Sequence, residues 1–206
     1  MQITVDLALV LAVDCSSSVD AGDFRMQMDG IAAALRHPPL LDAIVAGSSR
    51  RIAITLVQWS SHDSQNAVVP WRVLAGVADV AGMAHDVEKA ERQWKPGGTG
   101  LADAITYCAA LLKTSPFIAD RLVIDVSGDG EDNDGGDVTH ARDEAVAHGI
   151  TINGLPIIGG AQGLARYYQA QVIGGPGSFI LPAKDMRSFK EAMTKKLLKE
   201  ITQAVA

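Results

Sequence analysis

The 206-residue chain is 48% hydrophobic with 20 glycines, which suits one α/β domain whose sheet is covered on both faces. Its formal net charge of -6 argues against nucleic acid or an anionic membrane as the main partner. Cys15 and Cys108 form neither a metal motif nor a disulfide framework, and read as small, partly buried side chains.

Taken in chain order, short apolar runs bounded by Gly, Asp or Ser read as buried parallel strands. The first covers residues 5–13. It is too short to span a bilayer and lacks the basic leader and small-residue cleavage site of a signal peptide. Any leader of the natural gene is therefore expected to have been removed. The expected compartment is the periplasm or the exterior if one was trimmed, and the cytoplasm otherwise. Residues 20–36 follow as a helix, with Phe24, Met28, Ile31 and Leu35 at helical spacing and Asp20 as its N-cap. A strand at 51–59 is joined to 66–74 by a polar turn too short for a helix, so 66–74 is expected to run antiparallel. Pro70 cannot donate to a ladder, which puts that strand at the sheet edge. Further strands are expected at 121–127, 150–157 and 178–182, and helices at 76–92, 101–113, 136–148, 162–172 and 185–204. The expected fold is a doubly wound, mostly parallel six-stranded sheet with one antiparallel edge and helices on both faces. Residues 1–206 read as a single domain, without repeat, linker or low-complexity tract.

In such sheets ligands bind beyond the carboxyl ends of the strands, where strand order reverses. Three polar segments fall where they could face that edge: DCSSSVD (14–20), GGTG (97–100) and SGDGEDNDGGD (127–137). Asp14, Ser16 and Ser18 are two residues apart, so an extended or gently turning backbone turns them to one side. Thr99 and Asp129 complete a set of five oxygen donors with two formal charges. That shell suits a hard divalent cation, with Mg²⁺ expected, Mn²⁺ an equal fit and Ca²⁺ a further option. Alone, D-x-S-x-S is a weak signal, because Ser18 or Asp20 could simply cap the next helix.

The stretches VLAVDCSSSVD, GGTGLADAI and VIDVSGDG resemble the three loops of the metal-ion-dependent adhesion site in von Willebrand factor type A domains. The element order, with its antiparallel edge, resembles that fold across the whole chain. AVVPWRVL, ITINGLPI and YYQAQVIGGPGSFILPAKD are similar to a bacterial branch called domain-of-unknown-function family 1194. The third loop reads Ser-Gly-Asp-Gly where many type A domains have Thr-Asp-Gly. The resemblance implies that Ser16, Ser18 and Thr99 contact the metal, and that Asp14 and Asp129 ligate directly or through water. It also implies an open coordination position for an Asp or Glu carboxylate of an unidentified partner protein, with binding coupled in some members to movement of the last helix.

Rival chemistries fit less well. A hydrophobic strand ending in aspartate, with SGDGEDND later, also resembles the haloacid dehalogenase superfamily, which would make Asp14 a nucleophile. Phosphatases of that group need a second Asp two residues on, where this chain has Ser16, and Lys113 lies on a helix without the right neighbours. An EF-hand counted from Asp129 fails at its sixth and twelfth positions, Asp134 and His140. Glu131, Asp132, Asp134 and Asp137 then read as a solvated acidic loop that raises the negative potential near the metal. GGTG lacks the Lys-Ser/Thr of a P-loop, no G-x-S-x-G elbow occurs, and the five histidines form no H-x-x-x-H pair. Trp59, Trp71 and Trp94 are expected to pack under helices, and FKEAMTKKLLKEI to dock on the sheet as a terminal helix. The chain is therefore read as a metal-dependent binding module and not an enzyme. A structural module with a vestigial metal loop is the third reading.

Overall fold

The computed structural model describes residues 2–93 and 97–203. Strand β1 (Ile3–Asp14) is followed by helices α1 (Ala21–Leu35) and α2 (Pro38–Ala46), then the hairpin β2 (Ile52–Trp59) and β3 (Gln65–Leu74). Helices α3 (Val77–Lys89) and α4 (Leu101–Lys113) lead to β4 (Phe117–Gly128), α5 (Val138–Ala147) and β5 (Ile150–Pro156). The chain ends with α6 (Leu164–Tyr167), a π-helical turn at Tyr168–Val172, a 3-10 turn at Met186–Ser188 and α7 (Phe189–Gln203). No helix among the described residues is long and apolar enough to cross a membrane.

β1 is the middle of a five-stranded sheet ordered β3-β2-β1-β4-β5, parallel to both neighbours. Residues 5–14 are all buried, which is why the stretch 7–13 is apolar throughout instead of alternating. Its side chains still divide by parity. Leu7, Leu9, Leu11 and Val13 enter a core shared with α1, α2, α3 and α7. Ala8, Val10 and Ala12 face the core under α4 and α5, where small residues let the helices approach. Each buried leucine contributes about 1.5–3 kcal/mol of transfer free energy. The chain leaves β1 toward β2 and leaves β4 toward β5, so strand order reverses between β1 and β4, and the crevice beyond their carboxyl ends is the fold's natural ligand position.

The hairpin is as expected: β3 pairs antiparallel with β2 at the edge, and the register shifts around Leu56 opposite the Pro70 segment. There Thr55 donates its hydroxyl to the Val69 carbonyl at 2.7 Å, which compensates for the broken ladder. Asp20 caps α1, accepting from the Asp23 N–H at 2.8 Å.

Three features differ from expectation. The sheet has five regular strands, not six. Residues 178–182 run beside β5 with only single bridges, Gly154 to Ile180 and Ile157 to Ala183. Glycines with positive φ at 175 and 177, together with Pro176 and Pro182, keep that stretch from forming a continuous ladder. Helix α2 adds to the expected helices, and its tandem prolines look like a breaker. Pro38 in fact occupies the first helical turn, where a missing N–H costs nothing, and Leu40 and Ile44 bury. The helix expected at 162–172 is a single α turn that widens into a π turn.

Helix α7 docks as expected, but its inner face is not purely apolar. Lys196 is fully buried and pairs with Asp125 of β4 and with Glu200, the latter at 2.7 Å. Asn153 of β5 donates to Glu200 Oε1 at 2.9 Å, and Arg121 reaches the Glu200 carbonyl. Burial pushes Asp125 up to about 7, with the neighbouring Glu200 charge adding to the rise and Lys196 opposing it. Cys15 and Cys108 are buried and unbonded, and burial pushes the Cys15 thiol up to about 12 and the Cys108 thiol higher still. Trp59 is fully buried and Trp71 stacks edge-on against Phe117. Trp94 lies outside the described residues.

Candidate metal centre

Asp14 is the last residue of β1, and its parity turns it to the α4/α5 side. Its Oδ1 accepts the Ser16 N–H at 2.7 Å, which curls the backbone into a tight loop. The loop brings Ser16 Oγ within 3.1 Å of Ser18 Oγ, and Ser18 donates to Asp129 Oδ1 at 2.5 Å. Asp129 follows β4 directly, so the tips of β1 and β4 are joined by a row of hydroxyls and a carboxylate. Ser16 is buried and Ser18 lies at the surface end of the row.

Thr99 arrives on the glycine loop ahead of α4 and is itself buried. Its N–H donates to Asn133 Oδ1 at 2.8 Å, and its carbonyl accepts the Asn133 N–H at 3.0 Å. A Cβ on Gly130 would lie 3.5 Å from Thr99 Oγ1, so the Thr99 hydroxyl sits against the residue after Asp129. The glycine loop approaches its neighbours too closely for side chains. A Cβ on Gly100 would meet the Asp134 carbonyl at 2.8 Å and the His62 nitrogen at 2.9 Å. The structure thus brings all five expected residues, Asp14, Ser16, Ser18, Thr99 and Asp129, to one strand tip.

The acidic loop is built more specifically than a solvated charge run. Asp132 accepts the Leu101 N–H at 2.6 Å and the Ala102 N–H at 3.3 Å, capping α4 from a distant segment. Asp137 caps α5, and Asn133 clamps Thr99. Among the described residues, no group of three or more His, Cys, Asp or Glu is placed to hold a metal ion. A cation here would depend on hydroxyl oxygens together with Asp14 and Asp129.

The polar environment tests that idea. Burial raises Asp14 to about 7, the Ser16 hydrogen bonds pull it back, and the Asp129 charge raises it further. Among the described residues no basic side chain pairs with Asp14, and its second oxygen has no partner. A carboxylate buried at a strand end, beside a second carboxylate and three hydroxyls, is a donor set that a hard cation fits.

Sequence reading missed the residues that hold the loops. Arg92 spans the first loop, donating to the carbonyls of Cys15 (2.5 Å), Ser16 (2.8 Å) and Val19 (2.8 Å). Gln27 on α1 donates to the Asp14 carbonyl at 3.1 Å. Gln58 of β2 binds the Glu91 carbonyl and the Gln93 N–H, fixing the stretch that carries Arg92. Beside the site, a groove of about 250 Å³ is lined by Asp23, Asp129, Ile157, Ile158 and Met186.

The fold is that of the von Willebrand factor type A domains. The vWF domain of the type V pilus tip protein Mfa5 from Porphyromonas gingivalis superposes with a TM-score of 0.69 at 12% identity, covering 99% of this chain and 97% of that one. A von Willebrand factor type A protein from Catenulispora acidiphila gives 0.64 at 16% identity, covering 98% of this chain and 43% of that one. Proximal thread matrix protein 1 from the mussel byssus, with a zinc-occupied metal-ion-dependent adhesion motif, gives 0.61 at 14% identity, covering 98% of this chain and 48% of that one. The chain spans less than half the length of these last two. No curated protein matches it. The chain belongs to the family described as protein of unknown function (DUF1194), which matches residues 4–205.

Proposed function

We propose that residues 1–206 act as one metal-dependent protein-binding module and not as an enzyme. The observation that carries this reading is the row Ser16 Oγ, Ser18 Oγ and Asp129 Oδ1, flanked by Thr99 and by a buried Asp14 without a basic partner. Ser16, Ser18, Thr99, Asp14 and Asp129 would hold Mg²⁺ or Mn²⁺, with Ca²⁺ a poorer fit. The bound cation supplies an electrophilic site that prefers an anionic oxygen ligand, here a partner's Asp or Glu carboxylate. The chain's own part is to hold the hydroxyls in a fixed row and keep Asp14 away from bulk solvent. The groove beside Asp129, lined by Asp23 and by Ile157, Ile158 and Met186, suits an apolar or cationic side chain flanking that carboxylate. The adhesin-type neighbours favour a site of action outside the cytoplasm.

The enzyme reading is weaker because the residue two places on from Asp14 offers a hydroxyl where a phosphatase needs an acid. The test is a thermal melt in EDTA, Mg²⁺ and Mn²⁺. Wild type is expected to gain stability with either ion, by about 2.7 kcal/mol at a hundred times Kd, and Asp14→Ala to gain none. A wild type indifferent to millimolar Mn²⁺ supports the vestigial reading. Phosphate-ester turnover abolished by Asp14→Asn overturns the binding module.

A further inference from the structure

Behind the candidate metal centre, three fully buried side chains each leave a polar atom without a hydrogen-bond partner: Asp14 Oδ2, the Tyr168 hydroxyl and Trp59 Nε1. They gather at one place. A Cβ built on Gly128 would lie 2.8 Å from the Tyr168 hydroxyl, 2.9 Å from Asp14 Oδ2 and 3.3 Å from Trp59 Cζ2, two bonds from Nε1. Contacts this short leave no room for a Cβ, so glycine at 128 is what lets the Tyr168 hydroxyl and Asp14 Oδ2 converge on the backbone there. The groups are also complementary. Tyr O–H and Trp N–H are donors, and the free carboxylate oxygen is an acceptor. A cation cannot satisfy either donor, so a metal on the Ser16 side of Asp14 explains the carboxylate and leaves Tyr168 and Trp59 unexplained.

Burying an unpaired hydroxyl or carboxylate oxygen is costly, and several such groups at one spot ask for a shared partner. Tyr168 and Asp14 make no direct hydrogen bond, and a short gap between buried polar groups is one that a water bridges. The local backbone serves this placement. Tyr168 opens the π turn, a wide turn often found beside functional sites, and its ring is directed inward to the strand tip.

We propose that Tyr168 is a positioning residue for the metal centre: its hydroxyl donates, through one bridging water, to the free oxygen of Asp14. That contact fixes the carboxylate from behind while Ser16 N–H fixes it from the front, so Asp14 meets the ion in one orientation. Trp59 packs its ring against the same point and keeps bulk solvent from it. The inference rests on the reading that Asp14, Ser16, Ser18, Thr99 and Asp129 bind a cation. Removing an outer-shell partner of a ligand commonly weakens metal binding 10–100-fold.

The test compares wild type, Tyr168→Phe, Asp14→Asn and the double variant, each by denaturant unfolding in EDTA, and the first two by Mn²⁺ titration. Phe keeps the ring and removes only the hydroxyl. Expected results for Tyr168→Phe are an unfolding constant in EDTA raised about fivefold, the share of the lost link, and a Mn²⁺ affinity at least tenfold weaker. In EDTA the two substitutions are expected to be non-additive, by roughly fivefold in the unfolding constant. Wild-type Mn²⁺ affinity in Tyr168→Phe, or a loss of affinity matched by an equal loss of stability in EDTA, overturns the positioning role. A wild type that binds no Mn²⁺ overturns the metal reading and with it any role of Tyr168 toward a metal. The metal-free cycle then decides separately whether the link to Asp14 exists, since additivity refutes it.

Discussion

Arg92 offers the sharpest test of how the first loop is held. Its guanidinium donates to three carbonyls, those of Cys15, Ser16 and Val19, all within 2.8 Å. These residues bracket the serines that form the hydroxyl row. A hydrogen bond from a charged donor contributes about 1.5–3 kcal/mol net. Here one half-exposed side chain makes all three, and water can reach some carbonyls once it is gone, so the total is about 2–4 kcal/mol and not the simple sum. Arg92→Met keeps the aliphatic stem and removes every donor. Its unfolding free energy in EDTA is expected to fall by that amount, and its Mn²⁺ affinity to fall 10–100-fold because Ser16 and Ser18 lose their fixed spacing. Arg92→Lys keeps the charge, but an ammonium lacks the planar fork that spans three carbonyls, so it is expected to recover less than half of either loss. Denaturant unfolding and Mn²⁺ titration on the same samples give both quantities. Arg92→Met that unfolds like wild type and binds Mn²⁺ equally well refutes the argument. Full rescue by lysine refutes the claim that geometry, and not charge, is what Arg92 supplies.

Gly100→Ala drives a methyl against the Asp134 carbonyl and the His62 nitrogen, and is expected to cost about 1–3 kcal/mol in denaturant unfolding. Asp132→Ala removes the cap of α4 and is expected to lower stability by about 1 kcal/mol, read as a drop in Tm. Lys196→Met leaves Asp125 and Glu200 buried without their ammonium, an expected loss of about 3–5 kcal/mol at pH 8 that shrinks toward pH 5 as Asp125 takes up a proton. The share of wild-type stability in EDTA that comes from Asp125 is expected to fall as pH rises from about 4 to above 7. Burial lifts Asp125 from its usual 3.8 to about 7, so its contribution is full below the unfolded value and lost as pH climbs through the folded one. Asp14, likewise raised to about 7, adds to the slope, and Asp125→Asn is expected to flatten only its own share in urea midpoints measured across that range.

Much of the fold was legible because it follows from local patterns. The unbroken apolar run of β1 announces a strand buried on both faces, and Pro70 announces an edge. The failures have physical causes of their own. Pro38 and Pro39 look like a stop, yet proline in a first helical turn is harmless, so α2 was invisible. Residues 178–182 have strand composition, but the glycines and prolines around them allow only single bridges to β5. Lys196 and Glu200 look like one charged side of a terminal helix. Only the position of Asp125 on β4 explains why two charges can face inward.

The candidate site divides in the same way. Asp14, Ser16, Ser18, Thr99 and Asp129 could be proposed because ligand chemistry restricts which residue types serve, and spacing on one segment supplies three of the five. Arg92, Gln27, Gln58, Asn133 and Tyr168 could not, because each works by reach from another part of the fold and none is an unusual residue in its own neighbourhood. Asn133 shows the difference well. It sits among acids in SGDGEDNDGGD and reads as one more polar loop residue, yet it is the group that both accepts the Thr99 N–H and donates to the Thr99 carbonyl. The acidic loop therefore does more than supply negative potential. Asp132 grips the start of α4 while Asn133, the next residue, grips Thr99. Only Gly130 and Glu131 separate Asp129 from these two contacts, which tie the third loop to the second.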